Sequence, residues 1–399
     1  MRILICATSS MPDAIGGSDR VVWQLSRGLA VRGHDVQLVI RRLAPDLPAT
    51  STIDGVTIHR YADPWHTFAT LYMPSVACAA RALRAAAHER TPHVVHAHHG
   101  ISGLGVARAA IGPPMYTFYG PWHQEFLHEV QHRTEMPSLK RWTRRLWAPA
   151  KATLARRIER AAVRHARRVV VLSRYSQSQL AEVHAVSGAR VSIVPGGVDL
   201  QQFVPRLERR EARSRLGLAG EGPLLFTVRR LVPRMGLEPL LHALVRLPDA
   251  RLVIGGSGWL RPRLEASASA LGVASRVRFA GRIDDAELPV FYQAADLVVL
   301  PSVALEGFGL ITLEALACGT PVVATANSGA TDVVGPLEPS WIAPDASPAA
   351  LATTIAGALS ASCAPEVNKR CRIHAEQYSW ERMVARHEDL YRELVSARV

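Results

Sequence analysis

Two glutamates eight residues apart, Glu306 and Glu314, are the side chains whose type and spacing point most directly to chemistry. They lie in the run Glu306-Gly307-Phe308-Gly309-Leu310 and its continuation to Glu314, just after an apolar segment. The run reads as the end of a buried strand, a glycine turn and a short helix. One carboxylate then sits in the loop and the other on the helix, with backbone N–H groups between them. Carboxylates accept from hydroxyls, and a helix N-terminus attracts an anion. The combination suits a ligand carrying both hydroxyls and phosphates. Paired carboxylates also serve glycoside hydrolysis, but here they are tied to a phosphate-friendly turn. No Walker A sequence and no Gly-x-Ser-x-Gly elbow is present.

Three further loops carry matching chemistry. Gly16-Gly17-Ser18 follows a first apolar strand and opens a helix through Val21, Val22, Leu25 and Leu29. Glycines let backbone approach a ligand closely, although the same pair also suits a plain tight turn. Gly255-Gly256-Ser257-Gly258 has the same two readings. Arg229, Arg230 and Arg234 cluster after another strand, where cations suit a diphosphate; ordinary surface arginines are the alternative. His93, His96, His98 and His99 crowd a fourth strand end. Strand alternation sends neighbouring side chains to opposite faces, which disfavours a tight metal-ligand set and leaves one histidine to face a site.

These loops need a scaffold. Apolar segments at Arg2–Ala7, Val36–Ile40, Val94–Ala97, Met115–Phe118, Val169–Leu172 and Val191–Val194 form one series. A second series runs Leu224–Val228, Arg251–Ile254, Val277–Ala280, Leu297–Leu300 and Pro321–Ala324. Helical patterns separate them, so parallel sheets covered on both faces are expected. The fold class is α/β, with two doubly wound, Rossmann-like domains facing across a cleft. The boundaries are placed at 1–200 and 201–378, near Pro195-Gly196-Gly197-Val198-Asp199. Residues 379–399 read as a terminal helix starting at Ser379.

Composition narrows the class. The 399 residues are 48% hydrophobic and 20% charged, which specifies a packed core rather than disorder. No run of about 18 apolar residues spans a membrane, and the first apolar run is too short for a signal peptide. Five scattered cysteines, Cys6, Cys78, Cys318, Cys363 and Cys371, give no disulfide or zinc framework, so a cytoplasmic setting is expected. The net charge of +13 is spread along the chain, with one concentration. Residues 133–168 carry Lys140, Arg141, Arg144, Arg145, Lys151, Arg156, Arg157, Arg160, Arg164, Arg167 and Arg168 against Glu135 and Glu159. Trp142 and Trp147 are interleaved, a pattern compatible with peripheral contact at an anionic membrane face. No nucleic-acid motif accompanies it.

In order and over nearly its whole length, the chain resembles the retaining glycosyltransferases of family 4, which have the GT-B fold. Gly16-Gly17 and the helix to Asp35, Pro195 to Asp199, Arg230-Leu231-Val232-Pro233, Val277 to Ile283 and the Glu306/Glu314 pair carry the likeness. The resemblance implies a metal-independent hexosyltransferase that moves sugar from a nucleotide-diphospho-sugar, a UDP-sugar first, to a hydroxyl acceptor. It implies no cofactor, and no Asp-x-Asp metal motif is present. Glu306 would bind the transferred sugar and Glu314 the ribose. Gly307, Phe308, Gly309 and Leu310 would contact sugar and diphosphate. Arg230, with Arg234, would neutralise the leaving diphosphate; Gly16, Gly17, Gly256, Arg282 and Ile283 would complete the donor site. His98, Tyr119 and Trp122 are placed on the acceptor side, and the terminal helix on the first domain. The chain departs from the pattern twice. Met235 stands where the family often has lysine, and Tyr119 where it commonly has histidine. A GT-B binding protein without turnover, or an epimerase or phosphorylase on the same fold, therefore stay open, as does the acceptor.

Overall fold

A computed structural model describes residues 1–63, 72–133, 138–361 and 365–397. Glu135 and Cys363, and the side chains of Lys140 and Arg141, lie outside the described residues. Packing divides the chain into two units: Met1–Val130, Leu139–Gly196 and Trp380–Val399 in the first, Gln131–Ser138 and Gly197–Ser379 in the second.

The first unit runs β1 (Arg2–Ala7), α1 (Gly17–Val31), β2 (Asp35–Arg41), β3 (Thr50–Ile53), β4 (Val56–Tyr61), α2 (Met73–Glu89), β5 (Val94–His98) and α3 (Gly100–Ala109). It continues with β6 (Met115–Phe118), α4 (Trp122–His132), α5 (Ser138–His165), β7 (Arg168–Val171), α6 (Arg174–His184) and β8 (Val191–Ile193). The sheet order is β3-β4-β2-β1-β5-β6-β7-β8. Every pair is parallel except β3 with β4. β1, buried from Ile3 onward, reads as an unbroken apolar run because helices cover both sides; β5 is buried throughout although it carries His96 and His98.

The second unit contains α7 (Arg209–Arg215), β9 (Leu224–Val228), α8 (Leu237–Val245), β10 (Arg251–Gly255), α9 (Arg261–Ala270), β11 (Val277–Gly281) and α10 (Leu288–Ala294). β12 (Leu297–Leu300), α11 (Leu310–Ala317), β13 (Val322–Thr325), α12 (Thr331–Leu337), β14 (Ile342–Ala343), α13 (Pro348–Ala361) and α14 (Pro365–Ala375) follow. Its sheet, β11-β10-β9-β12-β13-β14, is wholly parallel. The last helix, α15 (Trp380–Ser396), belongs to the first unit. It lies so close to α1 that a Cβ at Gly28 would drive into Val384.

Three strands escape the apolar-run pattern. β3 and β4 form an edge hairpin that alternates in burial, joined by Asp54 and Gly55 at φ 48° and 79°, a turn with both central residues left-handed. β14 has only two residues.

Candidate functional site

The candidate residues fall in two sets, one per unit. In the second unit the chain leaves β9 at two consecutive arginines, and strand alternation parts them. Arg230 is exposed, with no side-chain partner among the described residues, while Arg229 is buried. The loop after them is stitched onto the turn after β10: Arg229 N donates to Gly255 O (3.1 Å) and Leu231 N to Ser257 O (2.9 Å). Gly256, at φ 105°, has no room for a Cβ against the Arg229 carbonyl, and Gly258 none against Leu231. The protein's own backbone therefore accounts for glycine at 256 and 258. Ile283 lies over Gly255, where an added Cβ would meet its Cδ1 at 2.6 Å, and Arg282 is exposed beside it.

Arg234 is buried, and its Nη1 donates to the Leu305 carbonyl at 2.8 Å. Leu305 is held at φ 60°, a left-handed conformation that a leucine adopts only when its surroundings impose it. Arg234 thus shapes the loop that presents Glu306. One Glu306 oxygen, Oε2, accepts from Arg229 Nη2 and from Ser302 Oγ at 3.4 Å. Burial, opposed by the Glu306 charge, lowers the Arg229 pKa to about 10, so the guanidinium stays charged at neutral pH. From the other side Gly329 N donates to Glu306 O (2.8 Å), which fixes the backbone.

Beyond Glu306, Phe308 is buried and Gly309, at φ 80°, begins α11 without a side-chain cap. Thr312 N donates to the Gly309 carbonyl at 2.9 Å, and the N–H groups of Leu310 and Ile311 before it have no acceptors within the helix and mark its positive end. Glu314 lies on α11, buried, with the Tyr292 hydroxyl of α10 donating to its Oε2 at 2.7 Å. Tyr292 and Ser302 were not among the sequence-derived candidates; Tyr292 reaches Glu314 through packing of α10 on α11, while Ser302 lies only four residues before Glu306 in the same loop. For Arg229 a signal existed: of two arginines in succession after a strand, one must point inward.

In the first unit the loop carrying Gly16 and Gly17 is anchored at both ends. Arg60 grips Asp13 with two hydrogen bonds (2.6 and 3.0 Å), both side chains buried. Ser9 Oγ donates to Asp19 Oδ1 at 2.7 Å. Gly16 and Gly17 are exposed at the start of α1, as the spacing anticipates. Asp19 leans over Gly16, where a Cβ would meet its Oδ2 at 2.8 Å, so part of the helix-end field already serves a carboxylate.

The four histidines find different surroundings. His93 accepts from Arg2 N (2.9 Å) and His99 from Ile101 N (3.3 Å) at the start of α3. His96 and His98, two apart, share a face, their rings tilted with centroids 4.1 Å apart. His98 is buried at the end of β5, with Nδ1 2.9 Å from the Tyr119 hydroxyl. Burial pushes His98 down to about 3 and Tyr119 well above its ordinary value, so both are neutral. Trp122 sits between Tyr72 and His99, at 4.4 and 4.6 Å. Among the described residues no three His, Cys, Asp or Glu side chains converge as metal ligands.

Residues 15–202 match the family model for Glycosyltransferase Family 4, and residues 208–378 that for Glycosyl transferases group 1. A D-inositol 3-phosphate glycosyltransferase of Geodermatophilus obscurus is 32% identical, over 92% of this chain and 83% of that protein. The chain belongs to glycosyltransferase family 4. Its fold is GT-B, the fold of its structural neighbours. A second family member, the enzyme of the same description from Mycobacterium leprae, is 31% identical over 92% of this chain and 86% of its own. Among solved structures, sucrose-phosphate synthase from Thermosynechococcus elongatus aligns with a TM-score of 0.82 and 26% identity, covering 99% of each chain. HepE from Anabaena, solved with UDP-glucose, aligns over 100% of each chain with a TM-score of 0.71 and 18% identity. Family membership makes the chain a glycosyltransferase, so sugar transfer is its reaction class.

Proposed function

We propose that this family 4 member transfers a hexose from a UDP-sugar to a hydroxyl acceptor, with retention at the anomeric carbon. The observation that carries the reading is the Glu306 carboxylate separated from the positive end of α11 by only Gly307, Phe308 and Gly309, with the Arg230 cation exposed in the same unit. Sugar hydroxyls meet Glu306, the diphosphate meets α11 and Arg230, and the ribose meets Glu314. The bond from the anomeric carbon to the diphosphate oxygen breaks as that to the acceptor oxygen forms. The acceptor's proton passes to the leaving oxygen, so no protein nucleophile takes part. Positive charge from Arg230 and the N–H groups stabilises the leaving group without a metal ion. His98, Tyr119 and Trp122 serve the acceptor in the first unit. UDP is favoured because HepE was solved with UDP-glucose, and a phosphorylated cyclitol is the first acceptor to try because of the relatives' names. We further propose a cytoplasmic protein that touches an anionic membrane face through α5. Among the described residues no helix is long and apolar enough to cross a membrane.

The test is a thermal-shift screen of nucleotide-sugars followed by a transfer assay on the best binder, since a ligand of the native state raises stability. Glu306→Ala should lower turnover at least a hundredfold, and Arg230→Ala should weaken donor use about ten- to a hundredfold, the worth of a charged hydrogen bond. Normal turnover in both variants refutes the assignment.

A further inference from the structure

The way the protein holds Glu306 has a consequence for the ligand. Both protein donors, Arg229 Nη2 and Ser302 Oγ, converge on Oε2. Oε1 has no partner among the described residues. A carboxylate held by one oxygen is fixed in rotation and presents the other as a pure acceptor. The arginine is itself tightly placed. Its side chain is 5% exposed, and Nη1 donates to the Met235 carbonyl at 3.3 Å. Its Nε is buried and lacks a partner among the described residues. A buried, incompletely satisfied guanidinium is costly to keep. Among the described residues its one anionic partner is the glutamate of the glycine turn. It also brings a cation beside residue 235, where this chain carries methionine.

We propose that Arg229 is a positioning residue that sets recognition of the transferred sugar: it fixes Glu306 through Oε2 and reserves Oε1 for a sugar hydroxyl. The inference rests on the nucleotide-sugar reading above. It makes Arg229, rather than the exposed Arg230, the residue on which sugar discrimination depends. Arg230 governs the diphosphate, which every donor with the same nucleotide shares. Toward the ligand Arg229 acts through Glu306, so it affects the part of the ligand that differs between a nucleotide-sugar and the bare nucleotide.

The experiment compares Arg229→Gln, Arg229→Lys and Glu306→Gln with the wild-type protein, measuring affinities for UDP, UDP-glucose and UDP-N-acetylglucosamine by calorimetry. In the wild type one UDP-sugar should bind more tightly than UDP. In each variant UDP affinity should stay within about twofold, while the preferred UDP-sugar loses at least about tenfold, the equivalent of one charged hydrogen bond. Arg229→Gln combined with Glu306→Gln should be no worse than either alone, because the two residues act as one unit. Arg229→Lys keeps the charge with one point contact in place of a fork, so it reports even where Arg229→Gln does not fold. The proposal is overturned if UDP and UDP-sugar affinities fall together, the mark of a merely structural arginine, or if neither changes. If the wild type binds UDP but prefers none of the sugars, the sugar-site reading itself fails and the proposal falls with it. If Glu306→Gln alone loses the preference, the site reading stands and the role of Arg229 is refuted.

Discussion

At Glu314, burial decides what a single hydroxyl is worth. The carboxylate is 5% exposed, and the fully buried Tyr292 supplies a donor to Oε2 at 2.7 Å. Tyr292→Phe removes that donor. A buried polar atom left short of a hydrogen bond costs about 1–3 kcal/mol. Urea unfolding should therefore show a loss of that size, with an unchanged slope. If Glu314 binds the ribose as proposed, nucleotide affinity should weaken as well. Unchanged stability would show that the hydroxyl is dispensable. The glutamates themselves were legible in the sequence, since their spacing across a glycine turn depends only on local order. Their partners were not. Tyr292 comes from the preceding helix and Arg229 from the loop after β9, 77 positions earlier, so tertiary packing brings them there. Arg234 shows the same limit from the other side. Its charge marked it for a phosphate, but its burial commits its Nη1 to the Leu305 carbonyl.

Element by element, the buried parallel strands were readable because each is a short apolar run between helical patterns, and their ends shift by a residue or so. The edge hairpin was missed because β3 and β4 alternate, the pattern of strands with one solvated face; Asp54-Gly55 between them was the available signal. In α5 the sequence showed charge but not sidedness. Ala148, Lys151, Ala152, Ala155, Ile158, Glu159, Ala162 and Val163 are buried. Lys151 lies over the Tyr72 ring at 5.7 Å, and Glu159 pairs with His184 at 2.9 Å. Two of the charges counted in the basic segment thus serve the core. Trp142, Leu146 and Trp147 remain 63%, 59% and 58% exposed near Arg145, with exposed Arg156, Arg157 and Arg160 farther along the helix. Aromatic and aliphatic groups in company with cations match the headgroup boundary of an anionic bilayer. The protein should sediment with vesicles of mixed phosphatidylglycerol and phosphatidylcholine, and less so as salt rises. Trp142→Ala with Trp147→Ala should lower that binding about tenfold or more at fixed salt. Equal binding by the double variant would remove α5 from the contact.

For the molecule as a whole, the last helix closes the core that the first strand began. Glu388 of α15 pairs with Arg32 and His34, each at 3.1 Å, and the Tyr391 hydroxyl lies 2.7 Å from His96 Nδ1. Three histidines meet in this core: His96, His98 and His387, all nearly inaccessible. Burial lowers His98 to about 3 and His387 to about 4, and holds His96 well below 6.5; the other charges acting on them come from histidines. Each is therefore neutral in the fold at pH values where the unfolded chain binds a proton. Folded pKa values below the unfolded one mean stability that is complete above about pH 6.5 and is lost as pH falls toward the folded values. The slope is about 1.4 kcal/mol per pH unit for each such histidine. At pH 5 the three together should remove several kcal/mol, enough to threaten a domain of ordinary stability. Urea denaturation at pH 7.5, 6.5, 5.5 and 5.0 measures the loss directly. His387→Gln removes one titrating group, so its curve against pH should be flatter than that of the wild type by one histidine's share below pH 6.5. The histidine account fails if the two curves run parallel.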